Sequence, residues 1–268
     1  MRKRDEAYLD VLLRAIRICA GYKPKLGHGR KAGMSLDDFQ TLYRSDPFYT
    51  WFGLDNPLLY AAHKAAGGMT SIYRQIGIGC EQLFRRILQD ELGLTAEQSA
   101  WSYTITGANQ RTRSLHLDGR IPLRDLRDPA KRQRIATWMK RAADELQVSD
   151  GITRALKGIV FEVRQGYKSK DSKRQNADIA NAATAYSQAY LPCVALFSTQ
   201  MDEDIFVRYR AEQWVILLGR LTGASSTNST YRFMREIVGY DLAAFFKRQA
   251  STLRVEVARV LEALLRTE

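Results

Sequence analysis

A short stretch of this 268-residue chain combines a carboxylate with closely spaced cations. The β-branched and aromatic residues Ile159–Phe161 predict a strand. If the strand continues, the side chains of Glu162, Arg164 and Lys168 fall on one face, because strand faces alternate with period two. An acid and two cations are therefore expected to project together.

The segment after this strand is unusually basic. Its cations are Arg164, Lys168, Lys170, Lys173 and Arg174, against the single acid Asp171. Such a density of charge repels itself unless an anion neutralises it. Ser172 and Gln175 then have capping-box spacing, which predicts a helix of about four turns that ends at Pro192, followed by a second strand. Cations in the first helical turn oppose the macrodipole, which favours a bound phosphate over a solvated basic turn.

The run E-V-R-Q-G-Y-K-S-K-D-S-K-R-Q-N-A-D, which begins at Glu162, resembles the catalytic block of type II restriction endonucleases of the PD-(D/E)XK superfamily. The resemblance implies an α+β fold with a mixed central sheet flanked by helices and with additional N- and C-terminal helices. It also implies acids that hold Mg2+ for phosphodiester hydrolysis. One position departs from the family pattern: Arg164 stands where the family usually has lysine. Arginine does not give up its proton in proteins, so either Arg164 only stabilises charge or Lys168 takes the role of the lysine.

The resemblance implies further acids at the metal site, and the sequence offers alternatives for them. Asp150 precedes Glu162 by the length of a short hairpin, although it could also begin a capped helical turn. Asp118 ends the alternating run S-L-H-L-D-G and fits if a helix is inserted between the two catalytic strands. Glu81 lies on a predicted helix and could be an auxiliary acid. The alternative for Glu81 is a surface pair with Arg85 four residues later.

Two polar segments are candidates for DNA contact. The first follows the catalytic strand and contributes Lys170, Ser172, Lys173, Arg174, Gln175 and Asn176. The second is a predicted hairpin loop that contributes Asn109, Gln110, Arg111 and Arg113, which are residue types that read base edges in the major groove. An ordinary solvated hairpin is the alternative for the second segment.

Composition narrows the class of protein. The formal net charge of +12 and the pI near 9.7 favour a polyanionic partner bound on a folded surface, and on charge alone this partner is DNA, RNA or an anionic membrane. The three cysteines are far apart, without metal-ligand spacing, which argues against structural zinc and a disulfide framework. Charges interrupt the N-terminal apolar residues, so we expect neither a signal peptide nor a membrane segment, and a cytoplasmic location.

Periodicity predicts the remaining elements. Helices are expected over 5–19, 35–43, 70–92, 132–146 and 251–265, and strands over 101–106, 114–117 and 205–209. The segments after Gln213 and Thr230 read as largely helical. The aromatic residues Phe48, Tyr49, Trp51 and Phe52 are expected in the core or at a subunit interface, rather than stacked on DNA bases. We expect one domain over 1–268, with 1–69 as a mostly helical subregion.

The resemblance thus implies a Mg2+-dependent type II endonuclease that cuts double-stranded DNA at a short palindrome. Two-fold symmetry of such a site favours a homodimer, and a companion DNA methyltransferase would protect the host. Two other functions remain open. One is a structure-directed repair nuclease of the same superfamily, and the other is a non-catalytic nucleic-acid-binding protein in which Glu162 only pairs with Arg164 or Lys168.

Overall fold

The computed structural model describes residues 2–25, 33–106, 112–166 and 181–266, and for residues 2, 105, 106 and 112–115 it describes the backbone alone. The chain divides into two compact units. Met1–Gly79 and Arg248–Glu268 form the first unit, and Cys80–Lys247 forms the second. Across the described ranges, no helix is both long enough and apolar enough to cross a bilayer.

The first unit is helical. Its helices are α1 (Arg2–Arg17, extended by a 3₁₀ turn over Ile18–Gly21), α2 (Leu36–Arg44), α3 (Pro47–Trp51), the first part of α4 (Pro57–Leu92) and most of α11 (Leu242–Leu265). The capping box predicted at the start of α2 is present. Ser35 Oγ accepts a hydrogen bond from the Asp38 N–H at 3.2 Å, and the Ser35 N–H donates to Asp38 Oδ2 at 3.3 Å.

Apolar side chains from α1, α4 and α11 hold the first unit together. The buried cluster consists of Ile16, Cys19, Ile72, Val260 and Leu264. Gly68 lies where α4 passes close to α11, because a Cβ atom at this position would come within 2.6 Å of the Leu264 side chain. Full burial of a large aliphatic side chain stabilises a fold by about 1.5–3 kcal/mol, so this cluster contributes to the packing of α1, α4 and α11.

The aromatic residues around α3 do not lie in the core. Trp51 is 80% exposed, and Phe48, Tyr49 and Phe52 are also exposed. The expectation of a core position was therefore wrong, while a subunit interface stays a prediction. The physical reason is length: α3 has five residues and is too short to turn all four rings towards one buried face.

The second unit contains a mixed sheet of four strands. Their order is β3 (Gly119–Pro122), β4 (Gly158–Arg164), β5 (Tyr190–Leu196) and β6 (Val215–Leu217). β3 is antiparallel to β4, whereas β4, β5 and β6 are parallel. A separate hairpin of β1 (Trp101–Thr106) and β2 (Thr112–Leu117) confirms the two strands predicted there. The mixed central sheet with flanking helices confirms the α+β class.

The helices of the second unit pack on both faces of the sheet. They are the end of α4, α5 (Ala96–Ser99), α6 (Pro129–Glu145), α7 (Asp150–Ala155), α8 (181–187), α9 (Glu203–Ala211) and α10 (Thr230–Phe233), which continues as a π-helical turn over Met234–Val238. On one face Val160, Val194 and Ile216 belong to a buried cluster with side chains of the hairpin, α8 and α9. On the other face the Phe161 ring lies 5.0 Å from Phe84 and 5.5 Å from Phe233.

Two expectations about secondary structure are corrected. Residues 205–209 belong to helix α9, not to a strand: Asp202 caps the helix, and Ile205 and Tyr209 are buried at the i,i+4 spacing of one helical face. The region after Gln213 contains strand β6 instead of a helix. All three residues of β6 are buried, because parallel strands covered on both faces are apolar throughout and lack alternation.

The helix predicted to end at Pro192 ends earlier than expected. Pro192 does not stop the helix, since α8 ends at residue 187 and Pro192 lies inside β5. At Pro192 the strand pairs with Val160 of β4, whereas its pairing with β6 starts only at Cys193. A proline is tolerated there because a strand can lack an N–H donor where it is paired on one side only.

Candidate active site

Strand β4 carries the central residues of the candidate site. Glu162 and Arg164 lie two residues apart, so their side chains share a face of the strand, as predicted. Glu162 is buried, and the Arg164 guanidinium is in an ion pair with its Oε1 atom. Within the described part of the chain, no donor meets Oε1 in regular hydrogen-bonding geometry. A buried carboxylate is costly without compensation, so this position needs a cation.

Asp118 is fastened to β4 beside Glu162. It occupies the single residue between β2 and β3, where its N–H donates to the Phe161 carbonyl at 2.8 Å. Its Oδ2 atom accepts a hydrogen bond from the Val163 N–H at 2.8 Å. The two bonds reach the residues immediately before and after Glu162. The carboxylate of Asp118 is therefore held at the same point of the strand as Glu162.

Glu81 approaches the site from helix α4. Its Oε1 atom lies 3.6 Å from Nη1 of Arg164, so one guanidinium contacts two carboxylates from different elements. The neighbouring residue Cys80 is buried, and burial together with the Glu81 charge raises the pKa of its thiol to about 12. Cys80 is consequently a neutral thiol at physiological pH and contributes no charge beside Glu81.

Arg85 is the residue that sequence reasoning missed. It was considered only as a surface partner of Glu81, four residues earlier on α4. In the structure its Nε donates to the Asp118 carbonyl at 2.8 Å. Arg85 thus positions the backbone of Asp118, while Glu81 faces Arg164. The only signal in the sequence was the i,i+4 spacing of Glu81 and Arg85, which places both side chains on the same helical face.

The two candidates for the second acid are now distinguishable. Asp150 is the first residue of α7, and it is exposed. The helix leads into Gly158 at the amino end of β4, whereas Glu162 lies four residues further along the strand, a distance of about 13 Å at the rise of an extended chain. Asp118, by contrast, is bonded to both neighbours of Glu162. The geometry favours Asp118 as the partner of Glu162.

Most of the predicted DNA-contacting residues lie outside the described part of the chain. This applies to Lys170, Ser172, Lys173, Arg174, Gln175, Asn176, Asn109, Gln110 and Arg111, and the catalytic candidate Lys168 also lies outside the described residues. Arg113 is described by its backbone alone, which lies in β2 opposite Ile105 of β1. The expectations about these residues therefore stay predictions.

The donor set has the right chemistry for Mg2+. Carboxylate oxygens are the hard ligands that this ion prefers, and Glu162 Oε1 is a buried oxygen without a regular hydrogen bond among the described residues. No group of three acidic, histidine or cysteine side chains in the described ranges is arranged as a ready metal site. The Arg164 guanidinium contacts both Glu81 and Glu162, and its single positive charge leaves this pair of acids with a net negative charge.

The arrangement therefore brings Glu81 and Glu162 together on Arg164, with Asp118 bonded to the β4 backbone on either side of Glu162. Comparison with known proteins does not add to this evidence. The chain matches no protein-family model, and no curated protein and no solved structure is significantly similar to it. The functional assignment rests on the residues at β4.

Proposed function

We propose that this protein is a Mg2+-dependent type II restriction endonuclease that hydrolyses phosphodiester bonds of double-stranded DNA at a short palindromic sequence. The supporting observation is that Glu162 and Glu81 both pair with Arg164, while Asp118 is hydrogen-bonded to the strand residue next to Glu162. The resemblance to PD-(D/E)XK enzymes implies acids at a metal site, and these three residues are the candidates for that role that lie close to one another. Asp118 and Glu162 are far apart in sequence, so local patterning alone would not bring them together.

In this proposal Glu162 and Asp118 hold the Mg2+ ion, and Glu81 is an auxiliary acid. When bound, the ion makes a water molecule more acidic and neutralises charge on the phosphoryl oxygens. Arg164 stabilises negative charge on the phosphate, because its guanidinium keeps its proton. Lys168 is the candidate for the lysine role of the family. Arg85 keeps Asp118 in place through its carbonyl oxygen.

The DNA partner is supported by charge. The formal net charge of +12 provides the attraction for the phosphate backbone on which affinity for nucleic acids depends. A palindromic site matches a two-fold homodimer, because both follow the same symmetry. A companion methyltransferase that modifies the same sequence belongs to this proposal, as does a cytoplasmic location.

The test is digestion of phage DNA by the purified protein with Mg2+ or with EDTA, alongside the Glu162→Gln and Lys168→Ala variants. We expect discrete fragments with Mg2+ and intact DNA with EDTA or with Glu162→Gln. Loss of cleavage in Lys168→Ala would assign the lysine role to that residue. A smear in place of discrete bands would contradict sequence specificity and indicate a structure-directed or nonspecific nuclease.

A second candidate function is non-catalytic binding of nucleic acid. The observation that favours it is the Glu162–Arg164 ion pair, since a buried acid that is already neutralised can be purely structural. Gel retardation separates the two functions. DNA that is retarded but stays intact with Mg2+ would support the binding protein, whereas cleavage by the native protein and retained binding by an inactive Glu162→Gln variant would exclude it.

A further inference from the structure

A cleft of about 550 Å³ opens in the second unit beyond the end of strand β6. Its walls come from the residues after β6, from α10 and its π-helical continuation, and from the start of α11. The volume lies within the range of about 300–1,000 Å³ that is typical of small-molecule sites. The cleft is thus large enough for one nucleotide.

The lining of the cleft combines cations with aromatic rings. Arg235 and Lys247 are the cations, and both are exposed. Tyr231 and Phe246 are partly buried rings whose centroids lie 6.5 Å apart in an edge-to-face arrangement. Among the lining residues the acid is Asp241, one of whose oxygens accepts a hydrogen bond from the Ala244 N–H and caps α11, and Arg235 donates to Glu236 Oε1 outside the lining at 3.1 Å. Cations beside an apolar aromatic wall suit an anion that carries a planar apolar group.

The Tyr231 side of the cleft is held by contacts within the chain. Tyr231 Oη donates to the Phe197 carbonyl at 2.9 Å, and burial raises the pKa of its hydroxyl to about 12, so it stays a neutral donor. Gly219 forms part of the same wall, where a Cβ atom would lie only 2.2 Å from the Phe197 carbonyl oxygen. Only glycine fits at this close approach of two backbone segments. The wall is therefore formed before any ligand binds.

The cleft lies at the same end of the sheet as the candidate active site. Strands β4, β5 and β6 are parallel, and Arg164, Phe197 and Gly219 stand at or just beyond their carboxyl ends. Backbone hydrogen bonds connect these ends, from the Phe197 N–H to the Arg164 carbonyl at 3.0 Å and from the Gly219 N–H to the Ser198 carbonyl at 3.0 Å. In open α/β sheets, ligands bind outside the carboxyl ends of the strands.

From these observations we infer that the cleft binds one nucleotide of the substrate strand. Phe246 contacts the base or sugar, and Lys247 and Arg235 contact the phosphate. The identification of the nucleotide as part of the substrate strand rests on the proposed function. Binding of a nucleotide in the cleft does not require cleavage, so nucleotide binding and the nuclease function can fail separately.

The first experiment measures binding of a free nucleotide by saturation-transfer difference NMR. The 268-residue protein that carries Glu162→Gln is titrated in EDTA with thymidine monophosphate and, separately, with thymidine. Inorganic phosphate is then added as a competitor. We expect saturation of the base and sugar protons of the nucleotide, competition by phosphate, and weaker binding of thymidine. Lys247→Ala should weaken nucleotide binding about tenfold, the size expected for one charge-assisted hydrogen bond.

A matched control is Lys140→Ala, which removes an exposed lysine from α6 in the same unit. Phe246→Leu keeps an apolar side chain and tests the ring separately from folding, with the near-UV circular dichroism spectrum as a check. Equal weakening by Lys140→Ala and Lys247→Ala, or unchanged binding in both Lys247→Ala and Phe246→Leu, would overturn the site. These results do not depend on whether the native protein cuts DNA.

The second experiment distinguishes a strand nucleotide from a free nucleotide. Duplex DNA is added to the nucleotide complex under the same conditions, with binding of the duplex monitored by gel retardation. Loss of the saturation signal once the duplex is bound supports a strand nucleotide in the cleft. A saturation signal that persists when the protein is saturated with duplex would overturn the claim that the cleft holds a nucleotide of the DNA strand.

Discussion

The two units of the chain each contain a largely buried glutamate paired with an arginine, and the pairs differ in their surroundings. In the first unit, Arg17 donates to Glu256 through Nε at 2.9 Å and through Nη2 at 3.1 Å. In the second, Arg164 pairs with Glu162. The glutamate side chains are 10% and 5% exposed, but Arg17 is 53% exposed and Arg164 only 14%.

This difference shows that an acid–arginine pair alone does not mark a functional site. Glu256 meets a second arginine, Arg259, so cations outnumber the acid there and solvent screens them. Arg164 instead meets a second acid, Glu81, and Asp118 is bonded beside Glu162. An excess of carboxylates around one buried cation is an arrangement that stability alone does not favour. It is consistent with a site that receives a further cation.

Neutralising the two glutamates should give the largest contrast. We expect Glu162→Gln to lower the rate of DNA cleavage by about 10³-fold or more, because a metal ligand supplies several kcal/mol of transition-state stabilisation. Glu256→Gln should stay within about twofold of the native rate. The measurement is the initial rate of plasmid cleavage with Mg2+. Similar losses in both variants would contradict the distinction between the pairs.

A second comparison concerns Asp118 and Asp150, the two candidates for the second metal-binding acid between which the sequence did not decide. Asp118→Asn should reduce cleavage by about 10²–10³-fold, because the amide oxygen can still accept from the Val163 N–H but has lost its charge. Asp150→Asn changes an exposed residue at the start of α7 and should have an effect of no more than about twofold. If the losses are reversed, Asp150 is the second acid and the assignment of Asp118 is wrong.

Replacing the arginine of each pair tests how strongly the burial of the pair affects the stability of the protein. Arg164→Met leaves Glu162 as a buried charge without its partner, which should lower the free energy of unfolding by about 3–5 kcal/mol. Arg17→Met should have a much smaller effect, since Arg17 is itself half exposed to solvent and Glu256 retains Arg259. Urea unfolding followed by circular dichroism measures both. An Arg164 variant as stable as the Arg17 variant would show that the β4 pair is not energetically distinct.

Arg85 tests whether a residue can act on the site through another residue. We expect Arg85→Met to lower kcat about tenfold, with little change in KM, because it releases the carbonyl of Asp118 rather than a substrate contact. The matched control is Arg86→Met on the same helix, where Arg86 pairs with Asp90 at the surface. A rise in KM without a fall in kcat would instead indicate that Arg85 contacts DNA.

The smallest expected effect is the pH dependence of the stability that the Arg17–Glu256 pair gives to the first unit. The hydrogen bonds and charge of Arg17 hold the pKa of Glu256 below its usual value. The pair therefore stabilises the fold above the unfolded pKa of about 4.3, and this contribution is lost as the pH falls through the folded pKa. The difference in Tm between the native protein and Glu256→Gln should be on the order of 2 °C at about pH 7. A difference that grows on acidification below about pH 4 would contradict this sign.

Local features were predictable because their causes lie within a few residues. The alternation around Glu162 and Arg164 depends on the period of an extended chain, and the capping box at Ser35 depends on a spacing of three residues. The hairpin of β1 and β2 followed from alternation in two adjacent segments. Residues 205–209 were misread because a short apolar run fits both a strand and one helical face. Strand β6 was missed because a strand buried on both faces has no period.

The sequence by itself determined the acid and the arginine on one strand face, the mixed class of the fold and the strong positive charge. Tertiary structure alone decided which other acids join them. The bond from Val163 to Asp118 spans 45 residues, and that from Arg85 to Asp118 spans 33. Such contacts depend on how helices and strands pack around the sheet, and periodicity within a segment carries no information about packing between segments. For the same reason, the exposure of the rings around α3 and the cleft beyond β6 became visible only in the folded chain.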